Sequence, residues 1–179
     1  MTLLWPGCRG RERELPVSDE RIVAPYQEFE NGTLNSYNGS LRKWRLESLY
    51  MRKPLGDTGT VLAVPVVLAL FDSTGTTTSK ILSDSGLTTP AMESFLIWGD
   101  VYVRTRENLV VRTERIALDA KTHMWHSDTF VEIHTAKGDV LRGKGFDASE
   151  SFSTSTFRRS VSGQFPQFRE RMEQDDEFF

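Results

Sequence analysis

The chain's histidines, His123, His126 and His134, stand with Asp128 in one short stretch, and imidazole and carboxylate are residue types that bind divalent metals. His126 and Asp128 are two apart. On an extended strand alternate side chains share a face, so the two would point the same way, with His134 following on that side. Ser127-Asp128 nevertheless reads as the corner that opens the next strand, and histidine sits readily on solvated strands. A metal centre is therefore not expected. Asp100 and Asp128 are a second candidate, a carboxylate pair for acid–base work. They recur at a fixed offset within a repeating hairpin unit, which makes turn capping the better reading. Gly143-Lys-Gly145-Phe146 is too short for a phosphate-binding loop, and no nucleophile elbow occurs. Serine and threonine are abundant but spread along the chain. The expectation is a protein without catalytic residues and without a cofactor.

Composition narrows the alternatives. The chain has 179 residues, 38% of them hydrophobic and 26% charged, enough to bury the core of one ordinary domain. A net charge of −3 and the lack of any Lys/Arg run provide no field for a nucleic-acid partner. Cys8 is the only cysteine, so neither an intramolecular disulfide nor a cysteine-based metal cage can form. Leu4 and Gly7 precede Cys8 as in the end of a bacterial lipoprotein signal, which makes Cys8 a candidate lipid anchor. The upstream basic and apolar parts of such a signal do not precede it here, and Trp5 and Pro6 suit it poorly. The other reading is a mobile N-terminus with an incidental cysteine. No apolar run reaches the ~18 residues of a membrane-spanning helix.

What remains must be elements that bind rather than react. Residues 1–25 read as a charged, flexible lead or anchor remnant, 26–163 as a single domain, and 164–179 as an acidic, disordered tail. Within the domain, short runs rich in Val, Ile, Leu, Thr and aromatic residues are separated by turn formers. These are Asn31-Gly32, Asn38-Gly39, Gly56–Gly59, Ser73–Gly75, Asp84–Gly86 and Lys137–Asp139. Val101-Tyr-Val103 and Thr129-Phe-Val131-Glu-Ile133 alternate strictly, each with one aliphatic face. The expected fold is all-β and antiparallel. Pro65 interrupts the run 61–71, so that strand either starts there or lies at an edge.

A weak repeat supports stacked hairpins. Asp100, Val103, Asp119 and Ala120 recur as Asp128, Val131, Asp147 and Ala148, with Tyr102/Phe130, Leu118/Phe146 and Met124/Phe152 at the same offset. Each unit reads as strand, turn, strand, then a polar corner at "LDAKT" or "FDASE". Such units cannot bury an apolar face alone and stack into an elongated, twisted sheet.

Several pieces together resemble the LptC-type periplasmic proteins of lipopolysaccharide export. They are Gly99–Val103, Arg112-Thr-Glu114 to Asp119, Ser127-Asp128 to Ile133, and Gly143-Lys-Gly145-Phe146, after a first hairpin in 27–48 with Trp44 and Leu46 at its apolar positions. Ser48 departs from the alanine usual there. The resemblance implies an elongated twisted antiparallel β-jelly roll, open at both ends. It also implies a job: receiving lipopolysaccharide from the permeases of an inner-membrane ABC transporter and passing it to an LptA-type bridge protein. The location implied is the periplasm, with an inner-membrane anchor. Two other readings stay open, a soluble LptA-type bridge protein and a structural β-repeat module without lipid cargo.

The expected lipid groove is lined by Leu68, Leu70, Ile81, Leu87, Ile97, Val101, Val103, Leu109, Val111, Ile116, Leu118, Val131, Ile133, Leu141 and Phe146. Alternation alone cannot separate such a lining from a closed core. Two free sheet edges are expected to meet partners. Phe29 and Leu34 mark the edge toward the transporter, and Phe157 and Val161 the edge toward the bridge protein.

Overall fold

The computed structural model describes residues 25–56, 59–119 and 121–166. Cys8, most of the N-terminal lead, Ala120 and the tail beyond residue 166 lie outside the described residues. Eleven antiparallel strands make one sheet: β1 (Tyr26–Asn38), β2 (Leu41–Pro54), β3 (Val61–Val64), β4 (Val66–Phe71), β5 (Thr77–Ser83), β6 (Ser85–Thr88), β7 (Phe95–Thr105), β8 (Val110–Asp119), β9 (Met124–His134), β10 (Val140–Ser149) and β11 (Ser155–Gln164). No helix forms among the described residues. The fold is the expected twisted, all-β jelly roll.

The order of pairing looks complex but is a plain meander. β2 pairs with β4 from Trp44↔Leu70 to Glu47↔Val67 and with β3 from Tyr50↔Val64 to Arg52↔Leu62, in one unbroken register. β3 and β4 are thus a single strand interrupted at Pro65. β5 and β6 are likewise one strand interrupted at Asp84, and together the two form a long hairpin. β4 thus starts just past Pro65, and Pro65 is not an edge residue. It lies inside the sheet, between β2 and β5–β6. Proline supplies no ladder N–H, and the register beside it is patched by a side chain. The Val64 N–H donates to Ser48 Oγ (2.7 Å), and the Ser48 hydroxyl donates to the Tyr50 carbonyl (2.8 Å). The alanine usual at position 48 could do neither.

Pro65 and Asp84 belong to a line of irregularities that crosses the whole sheet. Asn31 in β1 has φ 53°, Gly99 and Asp100 bulge from β7 with φ 80° and 44°, and Ser160 in β11 has φ 52°. Register shifts fall between Trp98 and Val101, between Thr113 and Ala117, between Lys144 and Phe146, and between Arg142 and Lys144 against β11. Across this line the inward-facing set skips a step: Ser48 to Met51, Ala63 to Val66, Ser83 to Gly86, Thr113 to Ile116. A strand that keeps its side chains on one face while changing phase must bend. The line is a crease.

The crease folds the sheet into two walls. The first wall carries residues 41–48, 66–71, 77–83, 101–105, 110–113, 130–134 and 140–143. The second carries 50–54, 61–64, 85–88, 95–98, 116–119, 124–127 and 146–149. Several sequence expectations are corrected by it. Asn31-Gly32 and Asp84–Gly86 are not turns but crease positions inside the sheet, because glycine, asparagine and aspartate tolerate bulges as well as turns. Asp100 does not cap a turn; it sits in the β7 bulge. Ser127-Asp128 does not open a strand; it lies in the middle of β9. Asn38-Gly39, Ser73–Gly75 and Lys137–Asp139 do form strand-connecting turns.

Candidate functional site: a folded apolar interior

Between the walls lies one continuous apolar cluster. Leu68, Leu70, Ile81, Ile97, Val101, Val103, Val111, Ile116, Leu118, Val131, Ile133 and Phe146 all belong to it, none more than 3% exposed. Leu109 and Leu141 pack against its margin and are only partly buried. Leu87 does not point inward: the phase step at Asp84 turns it out, with Gly86 and Thr88 facing the interior instead. Sequence reasoning missed other members, notably Met51, Ala63, Val66, Met92, Phe95, Trp125, Ala148 and Phe152. Trp44 and Leu46, legible in the sequence only as apolar positions of the first hairpin, also belong to the cluster.

Most buried polar side chains carry hydroxyls, Asp139 being the exception, and several of the hydroxyls sit at the crease. Thr113 Oγ1 lies 3.1 Å from Ser127 Oγ and 2.8 Å from Thr129 Oγ1, and its hydroxyl is 2.9 Å from the Phe130 carbonyl. Ser83 Oγ donates to the Ser85 carbonyl (3.1 Å). These bonds stand in for ladder hydrogen bonds that the bulges interrupt, as buried backbone groups require partners. Ser79 Oγ, in the first wall, is buried without a hydrogen-bond partner. Such an interior can hold apolar chains by contact.

The histidines and their carboxylate partners lie on the outer face as separate pairs. His123 pairs with Glu150 (3.3 Å), His126 with Asp147 (2.6 Å) and His134 with Glu132 (2.5 Å). Asp128 takes the Arg158 Nη2 (3.0 Å), while Arg158 Nε reaches Asp147 (2.9 Å). Among the described residues no group of three such side chains is placed to hold a metal ion. The Glu132 carboxyl is held below its ordinary range, first by hydrogen bonding to His134 and then to Arg142. These pairs tie β9, β10 and β11 together on the outer face.

Among the described residues the sheet ends in β1 and β11, each paired on one side only. Phe29 is 39% exposed and Val161 58% exposed, while Leu34 and Phe157 pack against the apolar cluster. The Phe157 ring lies across Gly143, where an added Cβ would meet the ring at 2.6 Å, and tilts onto Phe146 with centroids 5.6 Å apart. The roll thus presents one free strand edge at each end, with an apolar side chain turned inward beside it.

A family model described as lipopolysaccharide-assembly, LptC-related, matches residues 14–165. No curated protein matches the chain. The match takes in every strand of the folded sheet, its crease, its apolar interior and both of its edges, and the chain belongs to the LptC-related lipopolysaccharide-assembly family.

Proposed function

We propose that this protein receives lipopolysaccharide from an inner-membrane ABC transporter and passes it to a periplasmic bridge protein of like fold, with the acyl chains lying between the two walls. The coarser role, in lipopolysaccharide assembly, is that of its family, whose members face the periplasm. The observation that carries the finer reading is the apolar interior running the length of an open-ended sheet whose two outer strands each keep a free edge. Each methylene moved from water into such an interior contributes ~0.8 kcal/mol, so several acyl chains bind firmly without any one residue dominating. That suits a carrier that must also let go. Edge strands with unpaired N–H and C=O groups accept a partner's strand. In this reading β1, around Phe29 and Leu34, meets the transporter, and β11, around Phe157 and Val161, meets the bridge protein. Cys8, acylated, would hold the chain at the inner membrane. An unanchored bridge role is the neighbouring alternative, and mass spectrometry of Cys8 in the mature protein separates the two.

Photo-reactive side chains at Val103, Val111, Leu118 and Val131 test the cargo. All four should capture lipopolysaccharide in cells, whereas probes at Arg104 and Glu132 on the outer face should not. One observation favours the rival, a structural module: the inward side chains are already closed off from solvent. Equal labelling inside and out, or none at any position in folded protein, would make that rival the better reading.

A further inference from the structure

Because the interior is closed, a cargo has to part the walls somewhere, and the crease is the wrong place. There the strands are covalently continuous and their ladders are patched by hydroxyls. At the opposite margin, where the strand-connecting turns of the two walls face each other, the contacts across the walls among the described residues are made by side chains. Trp44, on β2 of the first wall, packs on Phe95, on β7 of the second, with ring centroids 5.5 Å apart, although β2 and β7 are not sheet neighbours. The row continues along the second wall from Phe95 to Trp125 (6.3 Å) and from Trp125 to Phe152 (5.6 Å, interplanar 18°). Beside it Lys43 of the first wall reaches Glu150 of the β10–β11 turn (3.3 Å), and Trp125 Nε1 donates to the Glu150 carbonyl (3.0 Å).

Backbone conformation sets this margin apart. Met92 and Phe152, in turns of the second wall, adopt φ 55° and 61°, yet each side chain is buried to 3% exposure. Bulky residues are rare in the left-handed region. They persist there when the surroundings over-determine them, and such positions gather at ligand clamps and switch regions. Both turns use this conformation to aim a large apolar side chain back into the interior.

We propose that acyl chains enter sideways, between Trp44 and Phe95, and that the β10–β11 turn is the lid of that entrance, latched by Phe152 on Trp125 and by Lys43 on Glu150. This rests on the cargo reading above. When the latch is made, the interior is shut; when Phe152 swings off Trp125, the row of rings becomes the rim over which the chains slide. The same turn leads directly into β11, so the lid adjoins the edge proposed to meet the bridge protein.

The test uses purified full-length protein carrying a photo-reactive side chain at Val103 and follows the initial rate of lipopolysaccharide capture. Phe152→Gly removes the ring and relieves the left-handed backbone; it should raise the rate about ten-fold, as expected for loss of a stacked aromatic pair. Lys43→Glu, at a partly exposed position, should raise it about two- to five-fold, the range for an ion pair near the surface. The exchange of Lys43→Glu with Glu150→Lys should return it to within about two-fold of the parent, since the attraction is restored. Capture at an unchanged rate in all three variants would overturn the lid and leave the cargo reading standing. Absence of labelling at Val103 in the parent and in Phe152→Gly alike would overturn both.

Discussion

The two lips of the folded sheet are built from the same kind of turn and put to different use. On the first wall, the turns after β4, β7 and β9 repeat one pattern. Asp72, Thr105 and Thr135 each donate their N–H to a carbonyl four residues on and accept an N–H from three residues on. The left-handed position in each is Gly75, Asn108 or Gly138, residues that adopt it readily. On the second wall the corresponding positions are Met92, His123 and Phe152. Their N–H groups close similar bonds, to Thr89, Asp119 and Ser149. In the first lip the left-handed positions turn the chain and send no large side chain into the interior. In the second, two of the three positions carry side chains that plug the interior, and the conformational penalty is offset by burial. Where a fold could use glycine and does not, the side chain is the reason.

The sharpest way to break this contrast is at Trp125, which is fully buried and touches Phe95, Phe152 and the Glu150 carbonyl. Trp125→Ala should cost ~3–5 kcal/mol, as for large-to-small changes in a core. It should act unevenly. Amide exchange should accelerate at residues 149–154 well before residues 135–139 respond. Uniform acceleration at both lips would mean that the two are equally dependent on the core, and the contrast would fail.

How far this is legible in the sequence depends on which lip, or which line, is considered. Strict alternation in Val101–Val103 and Thr129–Ile133 locates the inward faces of β7 and β9, because burial on one face of a strand leaves a period of two. The corners "LDAKT" and "FDASE" do lead out of β8 and β10, but the repeat pairs Met124, not His123, with Phe152, so the match of His123 with Phe152 comes from the turn backbone alone. The crease is not legible. Its residues, Asn31-Gly32, Asp84–Gly86 and Gly99-Asp100, have the composition of turns, and nothing local distinguishes a bulge inside a sheet from a reversal between strands. Leu87 reads as inward for the same reason, since one phase step moves every later side chain to the other face. The pairing of Trp44 with Phe95 depends on where the crease folds the sheet, which no local pattern records.

A middle-sized effect should come from the crease itself. Thr113→Val keeps the shape of the side chain and removes a hydroxyl that sits among Ser127, Thr129 and the Phe130 carbonyl. Leaving such buried groups short of a partner costs ~1–3 kcal/mol. Because the crease joins both walls, the loss should appear as a lowered midpoint of global unfolding, with neither lip singled out by amide exchange. Opening confined to residues 149–154 would show that the crease and the lid are not separate devices.

The smallest effect expected lies within the plain lip and compares its three turns with one another. Asp72 accepts hydrogen bonds from the Thr74 hydroxyl (2.6 Å) and from the Thr74 and Thr76 N–H groups (2.9 and 3.0 Å), and Arg106 lies 3.2 Å away. Its carboxyl pKa is lowered from 3.8 to about 2, with the Thr74 hydroxyl the largest cause and the Thr76 N–H next. At the matching positions Thr105 and Thr135 offer neutral hydroxyls to the Leu109 and Asp139 N–H groups. A carboxylate with a depressed folded-state pKa stabilises the fold fully above its ordinary value, and that contribution fades as pH falls toward the depressed one. The turn after β4 should therefore loosen between about pH 4 and pH 2, and the turn after β7, where the neutral Thr105 hydroxyl takes the matching place, is the comparison. Amide resonances of Thr74 and Thr76 should titrate with a midpoint of about 2, and Asp72→Asn, which removes the ionisable group, should abolish the titration. A midpoint at the ordinary carboxylate value would mean that Asp72 is solvated rather than bonded into the turn, and that the three turns of this lip are held by their backbone alone.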